Sequence, residues 1–222
     1  MPEGVKKIPE HAFEGCSSVK TITLPESLEE IGGYAFDGCS SVKELEVPAN
    51  VAKIGEYGLA NNPGLTKVTF KGEKLEEIGA YAFTEDSSLK NIELPDSIKA
   101  MGYRAFYKCA ALESVNYPVN WTECSGYSSY PTRYGAVFEG CTKLIRITIP
   151  EGITVIADYA FEKADKLRYV TFPSTLKMIG KEAFKDCAGL PYIDFPYELK
   201  TIGESALSLI HISEPTRLRC IS

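Results

Sequence analysis

The chain has 222 residues, 44% of them hydrophobic, and its 24 Lys and Arg against 30 Asp and Glu give a formal charge of −6. This length and apolar fraction allow a sizeable core, and the acidic balance argues against a nucleic-acid or anionic-membrane binder, which needs a concentrated basic face. No run approaches the ~18 apolar residues of a membrane span, and residues 1–4 do not resemble the start of a signal peptide.

The chain aligns with itself at a period of 23 residues. Residues 5–18 form the back half of one repeat, and 190–206 form the front part of another. The repeats between them are 19–41, 42–64, 65–88, 89–111, a stretched copy of 32 residues at 112–143, then 144–166 and 167–189. Their consensus is LxxIxLPxxLxxIGxxAFxxCxx. A unit of this length cannot bury its own apolar edge, so the repeats must stack into a solenoid.

Within each repeat, LxxIxL alternates apolar and polar residues, as in Leu45 and Val47, which predicts a short strand with one buried face. A proline then ends the strand, because proline cannot donate to a ladder. A second apolar pair leads to a glycine, for which we expect a turn with an unusual backbone angle. These glycines are Gly32, Gly55, Gly79, Gly102, Gly180 and Gly203. The Ala-Phe element should plug the interior with a short helical turn.

This consensus resembles the leucine-rich repeat superfamily, and specifically its BspA-like branch, over residues 5–206. The resemblance implies an α/β fold: a right-handed solenoid of about eight coils, with a parallel sheet on the concave face and short helices or turns on the convex face. Members of this branch are surface or secreted proteins of bacteria and some protists, implicated in adhesion to host matrix proteins and other cells. The resemblance therefore implies a cell-surface or secreted location and a protein ligand.

The last residues, 207–222, break the repeat where the consensus requires Phe after Ala206. The segment LSLIHISEPTR resembles the translation of a transposase-type sequencing adapter. We interpret the tail as a non-native artefact of a truncated metagenomic reading frame and the solenoid domain as residues 1–206. The alternative is a genuine, divergent C-terminal cap.

Five of the seven cysteines occupy one repeat position, three residues after the core Phe, which favours a ladder of reduced, buried thiols. Pairing of Cys16 with Cys39, or of Cys109 with Cys141, remains open, because adjacent coils lie within disulfide range. Zinc-type Cys and His spacing is absent. His11 aligns with tyrosines of later repeats and His211 lies in the tail, so we expect no catalytic site, metal or cofactor.

The outward positions of the first strand are mostly Thr, Asn and Glu. The exception is a strip of Arg146, Tyr169 and Tyr192 in three consecutive coils. Arg and Tyr are enriched at binding hot spots. Tyr is also a good strand former on any exposed face, so both interpretations stay open.

The stretched repeat contains an insertion at 119–135. Insertions in solenoids map to loops that are often on a working face, and this one is rich in Tyr, Ser and Gly, as recognition loops are. Its alternative is a tolerated loop that packs back on the solenoid. The candidate ligand-binding residues of this loop are Trp121, Tyr127, Tyr130, Arg133 and Tyr134.

Together with these candidate residues, the resemblance implies a non-catalytic protein-binding or adhesion module of a bacterial surface or secreted protein. The expected partner is a protein, such as a host extracellular-matrix protein or another cell-surface protein, with no nucleic acid and no membrane insertion. The alternative is the targeting or scaffold arm of a larger protein whose catalytic domain lies outside this sequence.

Overall fold

The computed structural model describes residues 1–127 and 133–208. Their regular elements are fifteen short strands: β1 Lys7–Ile8, β2 Glu30–Ile31, β3 Glu44–Val47, β4 Lys53–Ile54, β5 Lys67–Phe70, β6 Glu77–Ile78, β7 Asn91–Ile92, β8 Ala100–Gly102, β9 Ser114–Val115, β10 Glu123–Ser125, β11 Arg146–Thr148, β12 Val155–Ile156, β13 Tyr169–Thr171, β14 Met178–Ile179 and β15 Thr201–Ile202.

The strands form parallel ladders at two places along the coil, and the first of them is not formed in every described coil. Within the first-strand segment, LxxIxL, β3 pairs with β5, β7 with β9 and β11 with β13. The second ladder lies just before the repeat glycine and is more continuous, with the orders β1-β2-β4-β6-β8-β10 and β12-β14-β15. Pairs such as Ile31 with Ile54 join residues one repeat apart. The chain is therefore a parallel-strand solenoid of about eight turns.

A ladder of phenylalanine rings fills the interior. Phe36, Phe83, Phe106, Phe138, Phe161 and Phe184 are each at most 2% exposed. Rings of neighbouring coils stack with centroids between 5.0 Å, for Phe83 and Phe106, and 5.9 Å, for Phe138 and Phe161. The predicted interior Phe ladder is confirmed. Phe13, on the outermost described coil, is 36% exposed.

The segment that contains the core Phe is a series of turns. The described residues contain no helix, so the expectation of short helices was wrong. Most coils place two residues in the left-handed region, four positions apart, such as Tyr34 at φ 54° and Gly38 at φ 73°. A left-handed residue interrupts the run of right-handed dihedrals that a helix requires. The Tyr34 N–H instead donates to the Glu56 carbonyl of the next coil at 2.8 Å.

The repeat glycines also differ from expectation, because none of them has a positive φ. Their role is close approach between coils. A Cβ at Gly79 would lie 2.6 Å from the carbonyl carbon of Gly55 and 2.7 Å from the nitrogen of Glu56. Such distances are shorter than any real Cβ contact, so only glycine fits here.

The six described cysteines are unpaired. Four of them donate their thiol proton to the carbonyl of the Phe in the preceding coil, as Cys109 does to Phe83 at 3.0 Å and Cys187 to Phe161 at 3.0 Å. The prediction of reduced ladder cysteines is therefore confirmed for these residues. Cys220 lies outside the described residues.

We expect native thiols other than Cys16 to resist Ellman's reagent. Burial raises the pKa of Cys39 to about 11 and the pKa of Cys109 well above its usual value, and only the thiolate is nucleophilic. In a Cys220→Ser variant, the half-exposed Cys16 should react first, and the other five should react only after unfolding in urea. Rapid reaction of two or more thiols in the native protein would contradict the buried ladder.

The stretched repeat keeps the regular pattern longer than its sequence suggests. Trp121 donates its backbone N–H to the Pro118 carbonyl at 3.1 Å, as Leu28 does to Pro25 at 3.0 Å. Cys124 pairs with Met101, so it occupies the apolar position of the second strand. The regular coil therefore continues through Ser125, and the residues in excess of the repeat are 126–134.

Candidate ligand-binding surfaces

Trp121, the most prominent residue of the predicted loop, is a core residue. It is 2% exposed and packs against Tyr117 at 5.0 Å, Phe161 at 5.9 Å and Phe138 at 6.4 Å between ring centroids. Its indole N–H donates to the Glu123 carbonyl at 2.9 Å. This placement corrects the expectation that Trp121 anchors a ligand at the surface, because its ring has no free face.

Tyr127 and Arg133 form the base of the extra segment. Their backbones form an antiparallel bridge, in which the Tyr127 N–H donates to the Arg133 carbonyl at 2.7 Å. The Tyr127 ring is half-buried and meets Tyr81 edge-on at 5.3 Å and Tyr103 at 6.2 Å. Tyr130 lies outside the described residues. The base of this segment therefore packs on tyrosines of the turn that follows the second strand.

Tyr134 ends the extra segment on the same side of the coil. It is 44% exposed, and its ring stacks on Tyr159 with a centroid distance of 5.7 Å. Arg133 beside it is exposed. Of the predicted loop residues that the structure describes, Arg133 and Tyr134 are the two that present exposed side chains.

The predicted first-strand strip is an exposed aromatic and cationic surface. Arg146 in β11 is the register partner of Tyr169 in β13, and its guanidinium carbon lies 4.7 Å from the centre of that ring. Tyr169 is 46% exposed, and Tyr192 at the corresponding position of the next coil is 64% exposed. The period of the repeat thus places three predicted residues in one outward row.

Within the described residues, the two arginines on or beside the strands of this strip are not engaged in ion pairs. In residues 1–127 and 133–208, neither Arg146 nor the exposed Arg168 takes part in an ion pair. An earlier coil carries acidic groups on the same outward face, where Glu46 pairs with Lys71 at 2.8 Å. The strip therefore keeps uncommitted donors beside exposed aromatic rings, a combination suited to binding.

The two predicted groups contact different parts of the coil. The strip lies on the first strand, whereas Tyr127 and Tyr134 pack on tyrosines of the later turn. A row of aromatic residues on that turn was not predicted as a site. It consists of His11, Tyr34, Tyr57 and Tyr81. The sequence signal that could have revealed this row is that its residues share one repeat position.

The described residues hold no group of three or more His, Cys, Asp or Glu side chains arranged to bind a metal ion. Their single histidine, His11, hydrogen-bonds to Glu14 at 2.8 Å at an exposed position. The candidate surfaces present aromatic rings, guanidinium groups and hydroxyls.

A sequence profile for the BspA type Leucine rich repeat region matches residues 2–131 and 134–221, with six copies. The chain belongs to this family. Family membership agrees with the parallel-strand solenoid. It also confirms the resemblance of the repeat consensus to BspA-like leucine-rich repeats.

Solved structures show the same repeat architecture as this BspA-type chain. A leucine-rich repeat protein of T. pallidum is 26% identical, with a TM-score of 0.60 over 77% of this chain and 74% of that protein. The pneumococcal vaccine antigen PcpA is 26% identical, with a TM-score of 0.50 over 94% of this chain and 58% of the antigen. No curated protein matches the chain.

No helix with the length and hydropathy of a membrane span occurs in the described part of this BspA-type chain.

Proposed function

We propose that this chain is a non-catalytic protein-binding module of a bacterial cell-surface or secreted protein, and that it uses the strip of Arg146, Tyr169 and Tyr192. The observation that carries the proposal is the pairing of Arg146 with Tyr169 in adjacent strands, with the ring and guanidinium in contact and both side chains exposed. Family membership supports protein binding, because stacked repeats present extended surfaces.

The rigid backbone favours binding at this strip. Tyr169 is held in position by the pairing of β13 with β11, so little conformational entropy is lost when a partner covers it. Arg133 and Tyr134 form a second exposed pair at the end of the extra segment. A large partner could contact both areas, and the strip is the primary one in this proposal.

We also propose that the protein is located at the cell surface or secreted and that it has an adhesive role there. One structural relative is a pneumococcal vaccine antigen, and a protein ligand outside the cell is consistent with a surface module. Candidate partners are extracellular-matrix proteins and other cell-surface proteins. We further propose that the solenoid domain ends near residue 206 and that the tail contributes no binding residue.

The test is binding of the labelled protein to immobilised extracellular-matrix preparations and to intact cells. A Tyr169→Ala/Tyr192→Ala variant should lose at least about tenfold in affinity, because truncated hot-spot aromatics cost about 2 kcal/mol or more. Tyr197→Ala is the matched control, because Tyr197 is 96% exposed and lies outside the strip. Unchanged binding of the double variant to every ligand found would reject the strip.

A further inference from the structure

The aromatic row on the turn side is a continuous stack across four coils; we call it the tyrosine row. Its members are His11, Tyr34, Tyr57 and Tyr81, with successive ring centroids 4.8, 4.8 and 4.7 Å apart. The three tyrosines are half-buried, and each has a positive φ that turns its side chain out of the coil in the same way. The row therefore presents ring edges and hydroxyl groups along the solenoid.

The turns that contain the tyrosine row also contain carboxylate side chains, and they contain no lysine or arginine. The turn segments 9–14, 32–37, 55–60 and 79–84 contain Glu10, Glu14, Asp37 and Glu56 but no Lys or Arg. The second-strand face of the same coils is different, because Lys7 pairs with Glu30 and Lys53 with Glu77. Negative charge is thus neutralised on one face of these coils and left in excess on the other.

Burial and, secondarily, the nearby carboxylates shift the pKa values of groups in and beside the row. Burial, followed by the Glu56 carboxylate, raises the pKa of Tyr34 to about 12. Burial also raises the pKa of Asp37, a hydrogen bond from Asn61 opposes this, and Glu14 adds to it. A cation bound beside these groups would relieve their mutual repulsion.

A guanidinium group already occupies the end of this surface. Arg104 takes the place of the row tyrosine in the coil after Tyr81, with φ 54°. Its Nε and Nη2 donate to the two Glu139 oxygens at 2.8 Å, and its guanidinium carbon lies 4.4 Å from the Tyr107 ring centre. Carboxylate oxygens and an aromatic ring of this turn therefore bind arginine within the chain.

We propose that the tyrosine row, with Glu10, Asp37 and Glu56, is a docking surface for an extended, arginine-bearing segment of a partner protein. Charge complementarity identifies the occupant as cationic. Arg104 identifies arginine in particular, because its planar fork matches carboxylates and stacks on aromatic rings in a way that the lysine ammonium cannot. This surface is separate from the strip of the proposed function.

The probe is a fluorescein-labelled octapeptide of alternating Arg and Gly, measured by anisotropy at physiological salt, with the Lys-Gly peptide as its comparison. We expect the arginine peptide to bind about fivefold or more tightly than the lysine peptide. The variant Asp37→Asn/Glu56→Gln should weaken arginine binding about tenfold, because it removes two charge-assisted acceptors. Tyr57→Phe, which removes only a hydroxyl, should weaken it measurably.

The matched control is Glu30→Gln/Glu77→Gln, which changes the net charge equally on the second-strand face and should leave binding within about twofold. Tyr169→Ala/Tyr192→Ala should also leave it unchanged, which separates this surface from the strip. Equal affinity for both peptides, or an equal loss in the control, would overturn the proposal. Self-association that Asp37→Asn/Glu56→Gln abolishes would also overturn it, because the occupant would then be a second copy of the chain.

Discussion

Replacing Gly79 with Ala should lower the free energy of unfolding by about 3 kcal/mol, the upper range for overpacking a tight site. Ordinarily Gly→Ala stabilises a fold by about 0.4–1 kcal/mol where the dihedrals allow it, and Gly79 has no positive φ. The clash at this position makes the Gly→Ala substitution destabilising instead of stabilising. Its Cβ would lie 2.6 Å from the Gly55 carbonyl carbon, and the hydrogen bond from Gly79 N–H to the Ile54 carbonyl at 2.8 Å holds the two coils at that distance.

The measurement is urea unfolding followed by circular dichroism, with Gly33→Ala as the matched control. Gly33 lies next to the repeat glycine of its own coil, but the nearest atom to its Cβ would be the Glu56 carbonyl oxygen at 3.3 Å. That variant should change the free energy of unfolding by less than about 1 kcal/mol. Equal stability of the two variants would show that close approach between coils is not the reason for glycine at position 79.

Asp86→Asn should stabilise the protein at neutral pH by roughly 1–3 kcal/mol, the usual cost of a buried polar group without its partner. Asp86 is 0% exposed and occupies the ladder position that cysteine takes in other coils. Its Oδ1 accepts from the Asn62 N–H at 2.8 Å, but Oδ2 has no partner, and neither does the adjacent ladder oxygen, Asn62 Oδ1. A carboxylate has no proton to donate to this ladder.

An amide at position 86 would supply the missing donor. Asn62 shows that the geometry is available, because its Nδ2 donates to the Leu59 carbonyl at 2.6 Å and to the Phe36 carbonyl at 3.2 Å. The bond to Phe36 corresponds to the one that the Cys109 thiol makes to the Phe83 carbonyl of the preceding coil. The ladder position therefore needs a hydrogen-bond donor. Asparagine always has one, whereas aspartate has one only when its carboxyl is protonated.

The stabilisation by the Asp86→Asn substitution should depend on pH. Burial raises the pKa of Asp86 well above its usual value, the Asn62 N–H opposes this, and Asp37 adds to it; the Cys109 thiol also lies beside it. The folded state thus favours the protonated carboxyl. Its contribution to stability is fully present below the unfolded pKa of about 3.9 and is lost as pH rises through the raised folded pKa.

Unfolding measured between about pH 4 and pH 8 tests this dependence. The difference in free energy of unfolding between Asp86→Asn and the parent protein should be near zero at about pH 4 and should grow with pH. The control is Asp194→Asn, which removes one carboxylate at an exposed position outside the ladder. A difference that is constant across the pH range would exclude protonation of Asp86 as the cause.

The repeat itself was predictable, because its physical signals are local and recur in most coils. Alternation around residues such as Leu45 and Val47 identifies the buried face of a strand, and the recurring Phe identifies the interior. The outward row of Arg146, Tyr169 and Tyr192 follows from the same period. Residues that a fixed spacing places on one strand face stay on that face when the coils stack.

The site inside the stretched repeat was only partly predictable. The extra length of this repeat suggests a loop at Trp121, yet the spacing of Trp121 from Pro118 matches that of Leu28 from Pro25. The extra residues begin only after Ser125. An insertion shifts every later residue relative to the repeat consensus. Local spacing alone therefore does not show where in the stretched repeat the extra residues begin.

By itself the sequence determined that the chain coils every 23 residues, that Phe and Cys line its interior and that the first strand presents Arg146 and Tyr169 outward. Only the tertiary structure decided which residues carry left-handed dihedrals and which glycines are needed for close approach. Tyr34 has a left-handed φ of 54° while its N–H donates to the next coil, and Gly79 is required because the backbone of Gly55 lies against it. Both depend on contacts between residues about one coil apart, which no single repeat contains.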